Sequence, residues 1–199
     1  MQKLRSVTRN LTTAVLAVAA LTVAAGAQAQ SDYSFYGPGA SYVGLNAGRS
    51  DFSLGNGIGV FPSNKRDTAY NIYAGSYFNK NFGLELGYTN FGKVNRAGGS
   101  TKAEGFNLSL VGALPLSPSF NLLGKVGTTY GRTNVSAAPF TGVASGRESG
   151  FGLSYGLGAE YAFNPQLSAV LQYDQHNMKF VGTGRERISA TTVGLRYRF

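Results

Sequence analysis

Along Phe151–Phe163 large and small residues alternate without a break. Phe151, Leu153, Tyr155, Leu157, Ala159, Tyr161 and Phe163 fall on one side; Gly152, Ser154, Gly156, Gly158, Glu160 and Ala162 fall on the other. Successive side chains of a strand point to opposite faces, so one face is wholly apolar and the other small or polar. The run is longer than an ordinary globular strand. A charged residue set among glycines describes a narrow polar interior with the aromatics turned toward lipid, the pattern of a transmembrane β-strand.

The same alternation recurs along the chain. It predicts strands at Tyr42–Ser50, Thr68–Phe78, Phe82–Phe91, Ala103–Leu114, Phe120–Asn134, Phe151–Phe163, Leu167–Phe180 and Arg187–Phe199. Outward positions include Val43, Leu45, Leu84, Leu86, Tyr88, Phe106, Leu108, Leu110, Leu122, Val126, Leu171, Tyr173, Val193, Leu195 and Tyr197. Inward positions include Asn46, Glu85, Thr89, Asn107, Ser109, Lys125, Gln172, Asp174, Arg196 and Arg198. The second strand is less clean, because both of its faces carry tyrosine.

Predicted connections alternate in length. Gly-rich or polar loops at Asp51–Arg66, Gly92–Lys102, Val135–Arg147 and Val181–Glu186 follow the odd strands, and short turns at Asn79–Asn81, Pro115–Pro118 and Asn164–Gln166 follow the even ones. Membrane barrels have short periplasmic turns and longer external loops, and lipid obliges the sheet to close on itself. The expected fold is all-β: an eight-stranded antiparallel up-and-down transmembrane β-barrel. At that size side chains fill the interior, so no wide pore is expected. A soluble lipocalin-like barrel would bury the same aromatics, but it would place Glu85, Lys125, Glu160 and Arg196 outside in water rather than on the small-residue face.

The ends add an export address. Lys3, Arg5 and Arg9 precede the uncharged apolar run Leu11–Ala25, and Ala27-Gln28-Ala29 offers a small-x-small cleavage site. Residues 1–29 read as a cleaved signal peptide, cut after Ala29 or alternatively Ala27; the run is short for a spanning helix. Residues 30–41 read as a periplasmic lead-in and 42–199 as the barrel. There is no cysteine, so thiol and disulfide chemistry are excluded. The formal charge is +9, of which the signal removes three. The basic residues are scattered and the chain is exported, which argues against nucleic acid. Lys65, Arg66, Arg96, Lys102, Arg147, Arg185 and Arg187, all read as loop residues, are candidates to meet lipopolysaccharide phosphates.

The runs Tyr42–Gly48, Phe82–Tyr88, Gly158–Pro165 and Val193–Phe199 together resemble the eight-stranded transmembrane domain of the outer membrane protein A family. The resemblance covers almost all of Tyr42–Phe199 and implies residence in the outer membrane of a Gram-negative bacterium. It implies that Tyr197 and Phe199 form the signal read by the barrel-insertion machinery, after delivery by periplasmic chaperones. It also implies a lumenal charge cluster. The family's two acids match Glu85 and Glu160, and a further basic position matches Lys125. The family's partner bases fall on Val111 and Val170, leaving Lys125 and Arg196 to serve. Asn107, Ser109 and Gln172 are expected to satisfy leftover donors and acceptors, and strand adjacency points to Lys125–Glu160 as the principal pair. Larger family members add a peptidoglycan-binding domain, a role not expected for a chain that stops at Phe199.

Candidate chemistry is sparse. Gly152-Leu153-Ser154-Tyr155-Gly156 matches G-x-S-x-G in letters, with Asp174 and His176 following, but that motif needs a sharp strand-to-helix turn rather than a strand interior. His176 is the single histidine, expected at a strand tip in solvent. In the lipid A deacylase pattern a serine would stand at Met178, and the acyltransferase pattern is not visible. No cofactor or metal is expected, because one histidine without cysteine or clustered acids offers no ligand set. The expected function is that of a non-enzymatic outer-membrane barrel with a structural, envelope-stabilising or surface-presenting role. The alternatives are an adhesin or serum-resistance barrel acting on a host ligand through Asp51–Arg66 and Val135–Arg147, a narrow channel for small solutes, and a lipid A-modifying enzyme.

Overall fold

The computed structural model describes residues 39–54, 64–96, 98–139, 143–182 and 184–199. The expected signal segment, most of the expected lead-in and loop residues 55–63 and 140–142 lie outside the described residues.

The strands are β1 (Ser41–Phe52), β2 (Arg66–Tyr77), β3 (Phe82–Arg96), β4 (Gly99–Ser117), β5 (Phe120–Ser136), β6 (Gly146–Ala162), β7 (Leu167–Phe180) and β8 (Gly184–Arg198). Each pairs antiparallel with the next, and β1 closes on β8 from Tyr42↔Arg198 to Phe52↔Ile188. Closure leaves no edge whose amides and carbonyls would meet lipid unpaired. Two of the short turns are built alike. Asn79 Oδ1 accepts from the backbone N–H of Asn81 and Phe82, and Asn164 Oδ1 accepts from those of Gln166 and Leu167. These side chains replace a missing backbone acceptor at the bend.

Several boundaries differ from the sequence reading. The expected loop Gly92–Lys102 is mostly ladder, because β3 runs to Arg96, β4 starts at Gly99, and Lys93 pairs with Lys102. A bulge between Asn90 and Lys93 carries Gly92 at φ +80°, and beyond it Val94 returns to the interior. The expected loop Val181–Glu186 is a tight turn, with Phe180 opposite Gly184. The long connections are therefore those after β1 and β5. Pro115–Ser117 belongs to β4, whose pairing is irregular there.

The barrel is inside-out in its middle and right-side-out at one end. In the middle the outward face is apolar, with Leu157 72% and Phe151 64% exposed, while Asn46, Glu85, Asn107 and Gln172 are buried in the lumen. From Phe151 to Tyr161, ten steps of roughly 3.3 Å tilted by about 40° rise roughly 25 Å, the height of a lipid-facing band. Toward the ends of β1, β3, β5 and β7 and the start of β8, which lie away from the short turns, the polarity reverses. Phe52, Phe91, Val94, Val135, Met178, Phe180 and Ile188 fill the interior as one cluster, while Arg49, Lys93, Arg132 and Lys179 are exposed on the outside. A strand leaving lipid for water must exchange its faces in this way, since water now rewards burial of the apolar ones. The barrel thus continues above the apolar band as a stub with its own hydrophobic core.

Candidate functional site

The middle of the lumen holds a chain of ion pairs. Lys125 Nζ lies 2.6 Å from Glu85 Oε1. The Tyr42 hydroxyl donates to Glu85 Oε2 at 2.9 Å, and Arg196 Nη2 stands 3.6 Å from that same oxygen. Arg196 Nη1 reaches Glu160 Oε2 at 3.2 Å. Arg198 and Ser168 both bond Glu160 Oε1, the serine at 2.6 Å. Glu85, Glu160, Arg196 and Arg198 are fully buried. Burying such charges is tolerated only when partners and hydrogen bonds replace the lost water, and each carboxylate here has several.

Register explains who meets whom. Glu85, Ser109 and Gly127 form one cross-strand row, so small residues on β4 and β5 leave room for Lys125 to cross β4 and reach Glu85. The expected Lys125–Glu160 pair does not form. Glu160 stands opposite Asn121, four residues along β5 from Lys125, or about 13 Å of strand. Lys125, Gly156 and Asp174 share another row, and the bare glycine leaves Asp174 in the electrostatic range of Lys125. Three acids and three bases therefore face one another: Glu85, Glu160 and Asp174 against Lys125, Arg196 and Arg198.

Tyrosines wall the cluster. The Arg196 guanidinium lies 4.2 Å from the Tyr42 ring centre and 5.4 Å from that of Tyr73, and Lys125 Nζ lies 5.0 Å from Tyr73. Cations over aromatic faces are favoured most where water is excluded. Each ring needs a glycine opposite. Tyr73 covers Gly44, where an added Cβ would sit 2.2 Å from the ring, and Tyr42 covers Gly75 at 2.5 Å. Tyr42, Tyr73, Ser168 and Arg198 were absent from the sequence-based cluster. The signal that finds the tyrosines is a Tyr–Gly pair repeated across neighbouring strands. Of the expected polar helpers, Gln172 accepts from Asn46 Nδ2 at 2.8 Å; neither Asn107 nor Ser109 bonds a cluster member among the described residues.

His176 is not at a solvated tip. It is buried beside Phe91 and shares a 2.8 Å hydrogen bond between its Nδ1 and Thr129 Oγ1. It stands opposite Ser154, but Ser154 Oγ bonds nothing among the described residues and lies in the lumen under the apolar cluster. The described residues hold no group of side chains suited to a metal ion.

The outer surface carries the other concentration of charge. Arg66, Lys102, Arg147, Arg185 and Arg187 are strand residues, not loop residues, and Lys65 immediately precedes β2. Arg96 ends β3, with its side chain outside the described set. On the same exposed outward face lie Arg49, Lys93, Arg132 and Lys179, which sequence reading passed over. The acids among them are Asp51, paired to Arg66 at 2.8 Å, and Glu104. Just below runs an aromatic row, Tyr88–Phe106–Tyr130–Phe151, with ring centres 5.0 Å apart in the pairs Tyr88–Phe106 and Tyr130–Phe151. The basic belt therefore begins where the apolar band ends.

Comparison with known proteins agrees with this architecture. Residues 14–199 match the outer membrane protein beta-barrel domain family. Outer membrane protein P5 of Haemophilus influenzae is 32% identical over 81% of this chain and 50% of its own length. Outer membrane protein A of Yersinia pseudotuberculosis is 28% identical over 94% of this chain and 55% of its own. The chain thus spans about half the length of these relatives. Among solved structures, Neisserial surface protein A superposes with a TM-score of 0.63 at 17% identity, covering 81% of this chain and 99% of that one. The Ail protein of Yersinia pestis gives 0.55 at 18%, with the same coverage. This chain belongs to the outer membrane protein beta-barrel domain family: it is a small outer-membrane barrel of Gram-negative type.

Proposed function

We propose that this barrel acts from its outside, as a non-enzymatic envelope protein whose basic belt holds the lipopolysaccharide leaflet. The observation that carries the reading is the belt itself. Arg49, Arg66, Lys93, Lys102, Arg132, Arg147, Lys179, Arg185 and Arg187 are all exposed and outward-facing above the apolar band, with Asp51 and Glu104 as the acids interspersed. Charges at that height meet the phosphates of the outer leaflet, and arginine suits phosphate through paired, parallel hydrogen bonds. The similar Ail barrel has been solved in complex with the heparin analogue sucrose octasulfate, a polyanionic sugar.

A lumen filled with packed side chains fits the same reading. Tyr42, Tyr77, Ala113, Leu123 and Val170 pack among the ionic cluster at its own level, and the core around Phe91 and Phe180 fills the lumen beyond it. Tyr197 is exposed on the outer face of β8, and Phe199 follows that strand directly; this fits their reading as an insertion signal, met after periplasmic chaperones have delivered the chain. The test is a deletion strain complemented with wild type or with a belt variant, Arg49→Ala/Lys93→Ala/Lys179→Ala/Arg187→Ala. Restored exclusion of a hydrophobic dye by wild type alone supports leaflet stabilisation. Altered lipid A composition in the deletion strain points to an enzyme instead, and loss of host-cell binding alone points to an adhesin.

A further inference from the structure

Among the belt residues, those on β4–β6 are arranged differently from the rest. Lys102, Asn134 and Arg147 form one cross-strand row, and Glu104, Arg132 and Ser149 form the row below it. Lys102, Glu104, Arg132, Asn134 and Arg147 enclose a cleft of about 200 Å³. The aromatic row Phe106–Tyr130–Phe151 lies directly beneath. The Tyr130 hydroxyl, and that of neighbouring Tyr88, point up into the polar rows: Tyr88 donates to Glu104 Oε2 at 3.0 Å and Tyr130 to Ser149 Oγ at 3.3 Å. Tyrosine at this height marks the membrane–water interface.

We infer that this cleft is a discrete binding site for a phosphorylated sugar headgroup of an outer-leaflet glycolipid. The inference rests on the belt reading and narrows it to one place. Arg132 and Arg147 have no carboxylate partner among the described residues, unlike Arg66, which is held by Asp51. They stand on adjacent strands in successive rows, at a spacing that lets two guanidinium forks address one phosphate from two sides. Lys102 adds a third cation, steadied by Glu104 at 3.9 Å. The Asn134 amide and the second carboxylate oxygen of Glu104 are neutral-donor and acceptor partners suited to sugar hydroxyls rather than to a bare anion. The site opens sideways at the level of the aromatic row, so an occupant anchored by acyl chains against Phe106 and Phe151 reaches it without leaving the leaflet. A soluble anion gains nothing from that placement.

The experiment is a titration of the full barrel, refolded in phosphocholine bicelles, with bisphosphorylated lipid A. Binding is read from the side-chain N–H resonances of the arginines. Arg132→Ala/Arg147→Ala is expected to weaken binding about tenfold or more, whereas the pair Lys179→Ala/Arg187→Ala, elsewhere on the belt, costs about twofold. Arg132→Lys/Arg147→Lys, which keeps charge and loses the forks, falls between them. Lipid A stripped of phosphate is expected to bind wild type weakly and without shifting Arg132 or Arg147. Equal losses in the two alanine pairs overturn the cleft and leave a diffuse belt. Saturation of the arginine shifts by inorganic phosphate at the concentration at which lipid A saturates them overturns the glycolipid assignment. Failure of wild type to distinguish lipid A from its dephosphorylated form removes the belt reading itself. Heat-modifiable gel mobility of every variant establishes that each is folded.

Discussion

Lys125 on β5 and Glu85 on β3 meet at 2.6 Å across the full width of β4. The contact exists because Ser109 and Gly127 stand in the row of Glu85 and leave the lysine room to cross. It makes Glu85, not Glu160, the carboxylate that depends on Lys125.

Lys125→Met should therefore destabilise the barrel by about 3 kcal/mol, since it takes from the buried Glu85 its nearest cation and leaves Tyr42 and the more distant Arg196 to hold the charge. The double change Lys125→Met/Glu85→Gln should recover most of that loss, while Lys125→Met/Glu160→Gln should be worse than either single change. Guanidinium unfolding in lipid vesicles measures all three. Equal midpoints for Lys125→Met and wild type would remove the ionic plug from the account of stability.

The two faces of the wall are separable by glycine. Gly44→Ala drives a methyl into the Tyr73 ring and should cost about 1–3 kcal/mol. Gly124→Ala points into open space on the outer face and should stay within about 0.5 kcal/mol of wild type. Matched thermal unfolding of the two variants decides this; similar losses would contradict the face assignment.

Leu157 is the most exposed of the large apolar side chains among the described residues and sits near the middle of the band. Leu157→Arg should lower folding stability by about 2–4 kcal/mol at the bilayer midplane. Folding yield into phospholipid vesicles is the readout, and unimpaired insertion would mean that the apolar face does not meet lipid.

The alternation from Tyr42 onward was enough to place every strand and its faces, because lipid and a narrow lumen impose opposite demands on neighbouring residues. The segments beyond the band were misread for a physical reason. At Lys93–Lys102 and Gly184–Glu186 the outward face turns from apolar to charged, and a strand with charges outside and Val94 inside looks like a polar loop when judged by the rule of the membrane. Charge partners were less legible still. That Glu85, Lys125, Glu160 and Arg196 point inward follows from parity along each strand, but their pairing depends on register across strands that a single strand's pattern does not contain. Arg198 was assigned to the inner face yet left out of the cluster, although it bonds Glu160 directly.

A lumen filled with packed side chains has an electrical signature. Wild type in planar bilayers should hold a flat current baseline, since the core of Phe52, Phe91, Met178 and Phe180 fills the outer mouth. Lys125→Met should be equally silent, because it opens the ionic cluster and not that core. Discrete conductance steps from wild type would revive the channel reading.

The most direct test of the proposal that the barrel works from its outer surface is its stability in different leaflets. The guanidinium midpoint of wild type should be higher in vesicles containing lipopolysaccharide than in phosphatidylcholine alone, and the gain should shrink on adding salt, which screens exposed charges, and vanish in Arg49→Ala/Lys93→Ala/Lys179→Ala/Arg187→Ala combined with Arg132→Ala/Arg147→Ala. A midpoint indifferent to lipopolysaccharide in wild type would contradict the role assigned to the basic belt.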